Sequence, residues 1–351
     1  MVALQSEIAR DVSSKLRIRL SNTDEQRVAK TYTANPEAYQ LYLQGLYYWN
    51  KRTPEDIRKS ITLFQQATEK DPSYAQAYAG LALAYTVLPK NGFVTKEEAK
   101  ELKLKEAAAL RIAQELDDSL AEVHVELAEL KSSQWDFAAA EDEFKRAIEL
   151  NPNFATAHQW YADFLASMGR HDEAVVETNK AHEIDPFSRA ISAMIGMRFF
   201  EVRDLDRAIA QYKKVIEMEP NYPNGHAFLA DAYHAKGMNA EAIEEFNNID
   251  RDESIHALLQ QILKTEGPRG ILRKRLELSR KSYEQGNGSA IEIAEIYAEL
   301  GDKDRAFEWL EKSFAAHEDE LVDLKIKPPA FDGLRSDPRF QDLLRRVGLP
   351  Q

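Results

Sequence analysis

Three prolines, Pro152, Pro186 and Pro220, stand 34 residues apart. With proline at about 5% of residues, two further in-register matches after the first arise by chance about once in 400. Other columns keep the same register. Ala140, Ala174, Ala208 and Ala242 form one; Ala128, Ala162, Gly196 and Ala230 form another. Leu127, Tyr161, Ile195 and Leu229 make a third, and Phe144, Thr178, Tyr212 and Phe246 a fourth. A period of this length means that one small unit is stacked on itself, each copy burying the apolar face of its neighbour.

Each unit reads as two antiparallel helices. The small columns let helices approach closely, and the large columns fill the space beside them. An acidic residue or Asn precedes each proline, in Asn151-Pro152, Asp185-Pro186 and Glu219-Pro220. Proline disfavours helical geometry at the residue before it, so a helix ends there. Mid-unit turns lie at Gly169-Arg170-His171-Asp172, Arg203-Asp204-Leu205-Asp206, Gly237-Met238-Asn239 and Gly301-Asp302-Lys303-Asp304. There glycine suits a helix C-terminus and Asp or Asn the next N-cap.

This pattern resembles the tetratricopeptide repeat, with small and large residues in the first helix, Ala and an aromatic in the second, then Pro. The best-matching stretch is Ala121 to Ile249. An earlier unit carries Gly45, Ser60, Phe64, Ala67 and Pro72, with about three extra residues near Arg52-Thr53-Pro54. The unit from Ala75 to Asp118 has about 12 extra residues, read as a loop over Pro89 to Lys100 and a longer second helix. Ser254 to Gln285 is a shortened unit broken at Gly267-Pro268, and the last carries Ala294, Tyr297, Gly301, Ala306 and Leu310. The resemblance implies an all-α, right-handed superhelical solenoid of about eight helix pairs. The expected organisation is an N-terminal amphipathic helix and linker over 1–34, the solenoid over 35–318 and C-terminal capping helices over 319–351.

The flanks supply those expectations. Leu4, Ile8, Val12, Leu16 and Leu20 recur at four, the spacing of one helical face. Asp337, Pro338 and Gly348 read as cap, first position and end of a helix. Ala3–Arg10, Asn35–Tyr39, Tyr47–Thr53 and the Leu334–Phe340 stretch with Leu343-Leu344 also resemble the C-terminal portion of large bacterial signalling proteins. There, such arrays follow a winged-helix domain, a Ser/Thr kinase or an adenylate cyclase.

Composition removes several classes. The 46 basic residues are outnumbered by 59 acidic ones, for a net charge of −13, which argues against binding nucleic acid. The absence of cysteine excludes disulfides, Cys-ligated metals and a thiol nucleophile. No apolar run is long enough to insert in a membrane; the best, Ala190 to Phe200, is short and carries Arg198. Met1 to Arg10 shows no charged start followed by an apolar stretch, so the expected setting is cytoplasmic, with the extracytoplasmic part of a membrane-anchored parent as the alternative.

No catalytic motif emerges. His124, His158 and His226 all occupy the fourth position of a unit, where they read as spacers between helices, with no carboxylate at fixed spacing expected beside them. Asp204 and Asp206 read as helix-capping residues rather than a metal pair. No phosphate-cradling loop and no nucleophile turn is present, so no cofactor, no metal and no enzymatic activity are expected. The acidic stretch from Glu97 to Glu149 reads as a solvated outer face.

The resemblance further implies that first helices line a concave groove through positions two, five, six, nine, twelve and thirteen of each unit. Chaperone-binding members use Lys and Asn at positions two and six to clamp a carboxylate. Here those positions hold Thr156 and Trp160, Ala190 and Met194, Asn224 and Phe228, so that clamp is absent. The expected partner-binding residues are Trp160, Asp163, Met194, Met197, Phe200, Phe228, Asp231 and His234. An aromatic and methionine floor with two aspartates suits an apolar or basic protein segment. The reading is a non-catalytic interaction scaffold in a bacterial signalling or transcription-regulatory protein, with a homodimer among its allowed assemblies. The rival is a sensor taking a small molecule or oligosaccharide in the groove, and packing of Trp160 and Phe228 by neighbouring units is the structural alternative to any ligand there.

Overall fold

A computed structural model describes residues 33–90, 94–250, 253–326 and 330–350; the sequence-predicted helix over 3–20 lies outside them. Every regular element among these residues is helical. Eight helix pairs follow in chain order: α1 (Pro36–Trp49) with α2 (Pro54–Lys70), α3 (Ala75–Lys90) with α4 (Lys96–Leu116), α5 (Ala121–Ser133) with α6 (Phe137–Leu150), and α7 (Ala155–Ser167) with α8 (His171–Ile184). Then come α9 (Arg189–Glu201) with α10 (Leu205–Met218), α11 (Pro223–Ala235) with α12 (Asn239–Asp250), α13 (Glu253–Glu266) with α14 (Pro268–Glu284), and α15 (Ala290–Leu300) with α16 (Lys303–Ala316). A short 3-10 turn (Asp319–Asp323) and α17 (Pro338–Val347) close the described chain.

Helix ends fall where local chemistry puts them. Asn151, Asp185 and Glu219 each follow the last helical residue and precede the repeating proline. Asp204 accepts from the Arg207 amide at 3.2 Å and Asp302 from the Arg305 amide at 3.2 Å, both as N-caps. Asp206 and Asp172 do not cap; they lie inside the first turns of α10 and α8, where a negative charge meets the positive end of the helix dipole. Asp337 caps α17, Pro338 takes its first position and Gly348 ends it at φ 87°. The expected loop over 89–100 is shorter than the spacing implied: α3 runs through Pro89 to Lys90, and α4 already begins at Lys96. In the shortened unit the break is a single residue, Gly267, at φ 68°.

The chain divides into two compact units, residues 33–90 with 101–123, and 94–100 with 124–350. In the first, Phe64 is fully buried between two glycines: a Cβ on Gly45 would lie 2.4 Å from its ring and one on Gly80 2.9 Å. Tyr42 packs at 5.7 Å from Phe64 and 5.2 Å from Tyr74. The second unit repeats the device, with a Cβ on Gly196 falling 2.5 Å from the Tyr212 ring. The alanine column Ala140, Ala174 and Ala208 is fully buried between the paired helices. Phe246, in the same column as Tyr212, stays 38% exposed. The shortened unit that follows it has no buried residue on α13.

Burying a carboxylate and its added volume at Ala208 is expected to destabilise the second unit by about 3 kcal/mol or more. Gly196→Val should be comparably damaging, because the Tyr212 ring has nowhere to retreat. Thermal melting followed by circular dichroism checks both; a parent-like curve for either variant refutes this register.

Candidate functional site

The first helices of the second unit carry the residues of interest. Position six turns out to have a packing duty set by the preceding unit. Thr178 Oγ1 lies 3.4 Å from Met194 Sδ, and the Tyr212 ring stacks on Phe228 at 5.6 Å between centroids. Met194 is 2% exposed and Trp160 6%, so both belong to the core between layers. Phe228 and Phe200 are half-buried against the cluster of Ala208, Tyr212, Leu229 and Tyr233, while Met197 is half-buried and Asp231 exposed. The eight expected residues therefore split. Trp160 and Met194 are buried; Met197, Phe200, Phe228, Asp163 and His234 are half-buried and Asp231 is exposed.

A polar cluster that the sequence reading passed over stands among them. Arg198, 5% exposed, donates from Nη1 to the Ala162 carbonyl at 2.8 Å and from Nη2 to Asp163 at 3.0 Å and Glu201 at 2.7 Å. Glu201 is itself almost wholly buried and has His171 Nδ1 at 3.6 Å. Asp163 keeps 44% of its side chain exposed. Desolvation by the surrounding walls raises its carboxyl above the ordinary carboxylate range; Arg198 opposes this, and Glu201, Asp323 and Glu129 add to it. The i, i+3 spacing of Arg198 and Glu201 was the available signal in the sequence, but their burial depends on Asp163, one unit earlier.

The position-four histidines are spacers, and they do have carboxylates at a fixed spacing, contrary to the sequence expectation. His124, His158 and His226 meet Glu143, Glu177 and Glu245, each 19 residues on, at 2.5, 2.5 and 2.6 Å. In two units Nε2 donates to a proline carbonyl at 2.9 Å, that of Pro152 or Pro220. Burial opposes ionisation of Glu177, but the bonds from His158 and Lys180 outweigh it and hold its carboxyl below the ordinary range. These pairs tie first helix to second helix within each unit. Among the described residues no group of three or more His, Asp or Glu is placed to hold a metal ion.

Several long-range contacts tie distant parts of the second unit together. His234 Nε2 lies 2.8 Å from Glu299 Oε2, linking α11 to α15. The chain after α16 returns to the ends of earlier first helices. His317 stacks on Trp135 at 3.8 Å and reaches the Ser133 carbonyl at 3.1 Å. Ser167 Oγ donates to Asp323 at 2.7 Å, and Arg203 pairs with Asp332 at 2.6 Å.

This repeat geometry matches known proteins. The family description "Tetratricopeptide repeat" fits residues 133–196, 199–262 and 289–316, and the chain carries tetratricopeptide repeats there. Superkiller protein 3 of Schizosaccharomyces pombe is 24% identical over 244 residues, 59% of this chain and 17% of that protein. The TPR repeat-containing protein YpiA of Bacillus subtilis is 25% identical over 192 residues, 54% of this chain and 42% of that protein. The matched stretches thus span less than half of either relative. The structure of human IFIT1 dimer with m7Gppp-AAAA has a TM-score of 0.50 at 17% identity, covering 90% of this chain and 77% of that one, a likeness of fold. Tetratricopeptide repeats bind proteins or peptides and are generally non-catalytic scaffolds.

The hydrogen bond to Glu299 and its charge raise the His234 pKa, with burial and Arg275 opposing. A raised histidine stabilises the fold fully below its unfolded value of about 6.5 and stops doing so as pH rises through the folded value. The melting difference between parent and His234→Gln is therefore expected to be largest near pH 6 and to shrink toward pH 9. A difference that stays constant across that range refutes the link.

Proposed function

We propose that the chain is a non-catalytic interaction scaffold whose second unit takes an apolar or basic protein segment on its concave side. One observation carries this reading: half-buried Phe200 and Phe228 pack against the cluster around Tyr212, whose ring feels the charges of Asp231 and Glu201, and half-buried Met197 lies on the same helix as Phe200. A segment with alternating apolar and basic side chains matches both halves of that surface. The same carboxylates oppose a phosphate backbone, so the capped RNA named with human IFIT1 is a poor guide to the ligand here. Met197, Phe200 and Phe228 would be the apolar anchors, Asp231 and His234 the polar rim, and Trp160, Met194 and Asp163 the floor.

In this reading residues 35–318 form the repeat array, 319–351 close it, and the chain is the partner-binding or regulatory part of a bacterial signalling or transcription-regulatory protein in the cytoplasm. The motifs at residues 35–53 and 334–344 support that context. Among the described residues no helix is long and apolar enough to cross a membrane.

Peptide arrays of basic, apolar and acidic decamers test the surface on the purified chain. Basic-apolar decamers should be retained, and Asp231→Lys should weaken them by tenfold or more in samples that circular dichroism shows to be folded. Trp160→Ala should lower stability by about 3–5 kcal/mol, as for a packed aromatic. Retention indifferent to Asp231→Lys, or preference for acidic decamers, refutes the proposed surface.

A further inference from the structure

The segment after α16 lies across the ends of α5 and α7. It leaves the helix through His317, which adopts the left-handed conformation at φ 52° and turns the chain back across the stack. From there it runs along the C-terminal ends of two first helices. His317 covers Trp135 and bonds the Ser133 carbonyl at the end of α5. Asp323 accepts from Ser167 at the end of α7. Lys325 lies against Gly169, where a Cβ would be 2.8 Å from its ammonium nitrogen. Between these polar contacts Leu321 and Leu324, three residues apart on one face, are fully buried. Ser133 and Ser167 are position thirteen of their units, a groove position in this repeat.

We propose that His317–Ile326 is a strap that occupies the groove over α5 and α7 in cis, and that its release admits a partner segment to Asp163 and the apolar floor beside it. The consequence for partners rests on the function proposed above; the occupancy of the groove by the strap does not. Two features fit release rather than permanent burial. The strap brings the Asp323 carboxylate toward a surface already holding Asp163, Glu201 and Glu129, so like charges work against its docking. Its ends are fastened elsewhere: α16 precedes it, and α17 pairs back onto α16 through Arg339–Asp304 and Arg346–Glu311, both at closest approaches of 2.7 to 2.8 Å. A strap held at both ends can leave the groove while remaining at high local concentration, and so returns when a partner dissociates.

The chain has no native cysteine, so a single engineered pair can lock the strap. Ser167→Cys with Asp323→Cys replaces two side chains already in contact at 2.7 Å. Leu321→Ser with Leu324→Ser removes the strap's anchors. The probe is a fluorescein-labelled peptide of residues 317–326, measured by anisotropy on the full-length chain. It should bind the anchor variant at least tenfold more tightly than the parent and fail to bind the oxidised lock, with parent-level binding restored on reduction. Equal binding to all forms, or no binding to an anchor variant that melts like the parent, overturns the proposal. If the anchor variant does not fold, amide exchange decides: α5 and α7 ends that exchange faster in the reduced than in the oxidised lock support release, and identical rates overturn it. Basic-apolar decamers added to the same samples separate the two readings. Strap peptide binding without decamer binding leaves the strap standing and removes the partner surface.

Discussion

A ring set against a residue with almost no side chain, one helix over, is the contact from which the stack is built. Phe64 against Gly45 and Tyr212 against Gly196 leave so little room that an added Cβ would sit about 2.5 Å from the ring. Such closeness brings paired helices together along the rows where alanine is also buried, at Ala140, Ala174 and Ala208. Interior packing at this density tolerates little change in volume. Because the ring of one unit also meets position six of the next, the same contact that forms a helix pair joins successive pairs. Stability then accumulates as a chain of nearest-neighbour contacts. The weak link is visible in the same terms: Phe246 has the ring, but α13 offers it no buried partner.

That contact also decides which inner-face residues can serve a ligand. Position six is met by the second-helix column residue of the preceding unit, whether large or small, as Thr178 meets Met194 and Tyr212 stacks on Phe228. The residual exposure of Phe228 and Phe200, and not their chemical type, is what separates them from Trp160. Solvent access among the candidate residues is therefore kept mainly at positions nine and twelve: Asp163, Met197 and Asp231, with Phe200 and His234.

The helix pairs and their ends were legible in the sequence because they rest on local constraints. Proline ends the helix before Asn151, Asp185 and Glu219; Asp204 and Asp302 cap the next; glycine takes the left-handed turns at Gly169, Gly237 and Gly301. The His–Glu pairs were legible in principle, as a fixed spacing of 19, but a single unit shows only an isolated His and an isolated Glu. The site was less legible, because its geometry depends on residues far apart in the chain. Nothing near Ser167 in sequence points to Asp323, 156 residues on, and nothing near Arg203 points to Asp332. Burial of Trp160 likewise depends on the curvature with which layers follow one another.

Arg198 ties these strands together. A guanidinium this deeply buried is tolerable only with acceptors around it, and it has three: the Ala162 carbonyl, Asp163 and Glu201. Two come from α7 and one from its own helix α9, so the cluster fastens one layer to the next as well as colouring the groove. Removing one partner of such a pair is more damaging than never having had the pair, because the remaining charge stays buried. Asp163 is thus committed to Arg198, and a basic partner drawing it away would loosen α7 from α9. Asp231 stands more exposed, on α11. In the proposed reading a basic segment would meet Asp231 by its greater exposure, while Asp163 and Glu201 keep Arg198 as their partner.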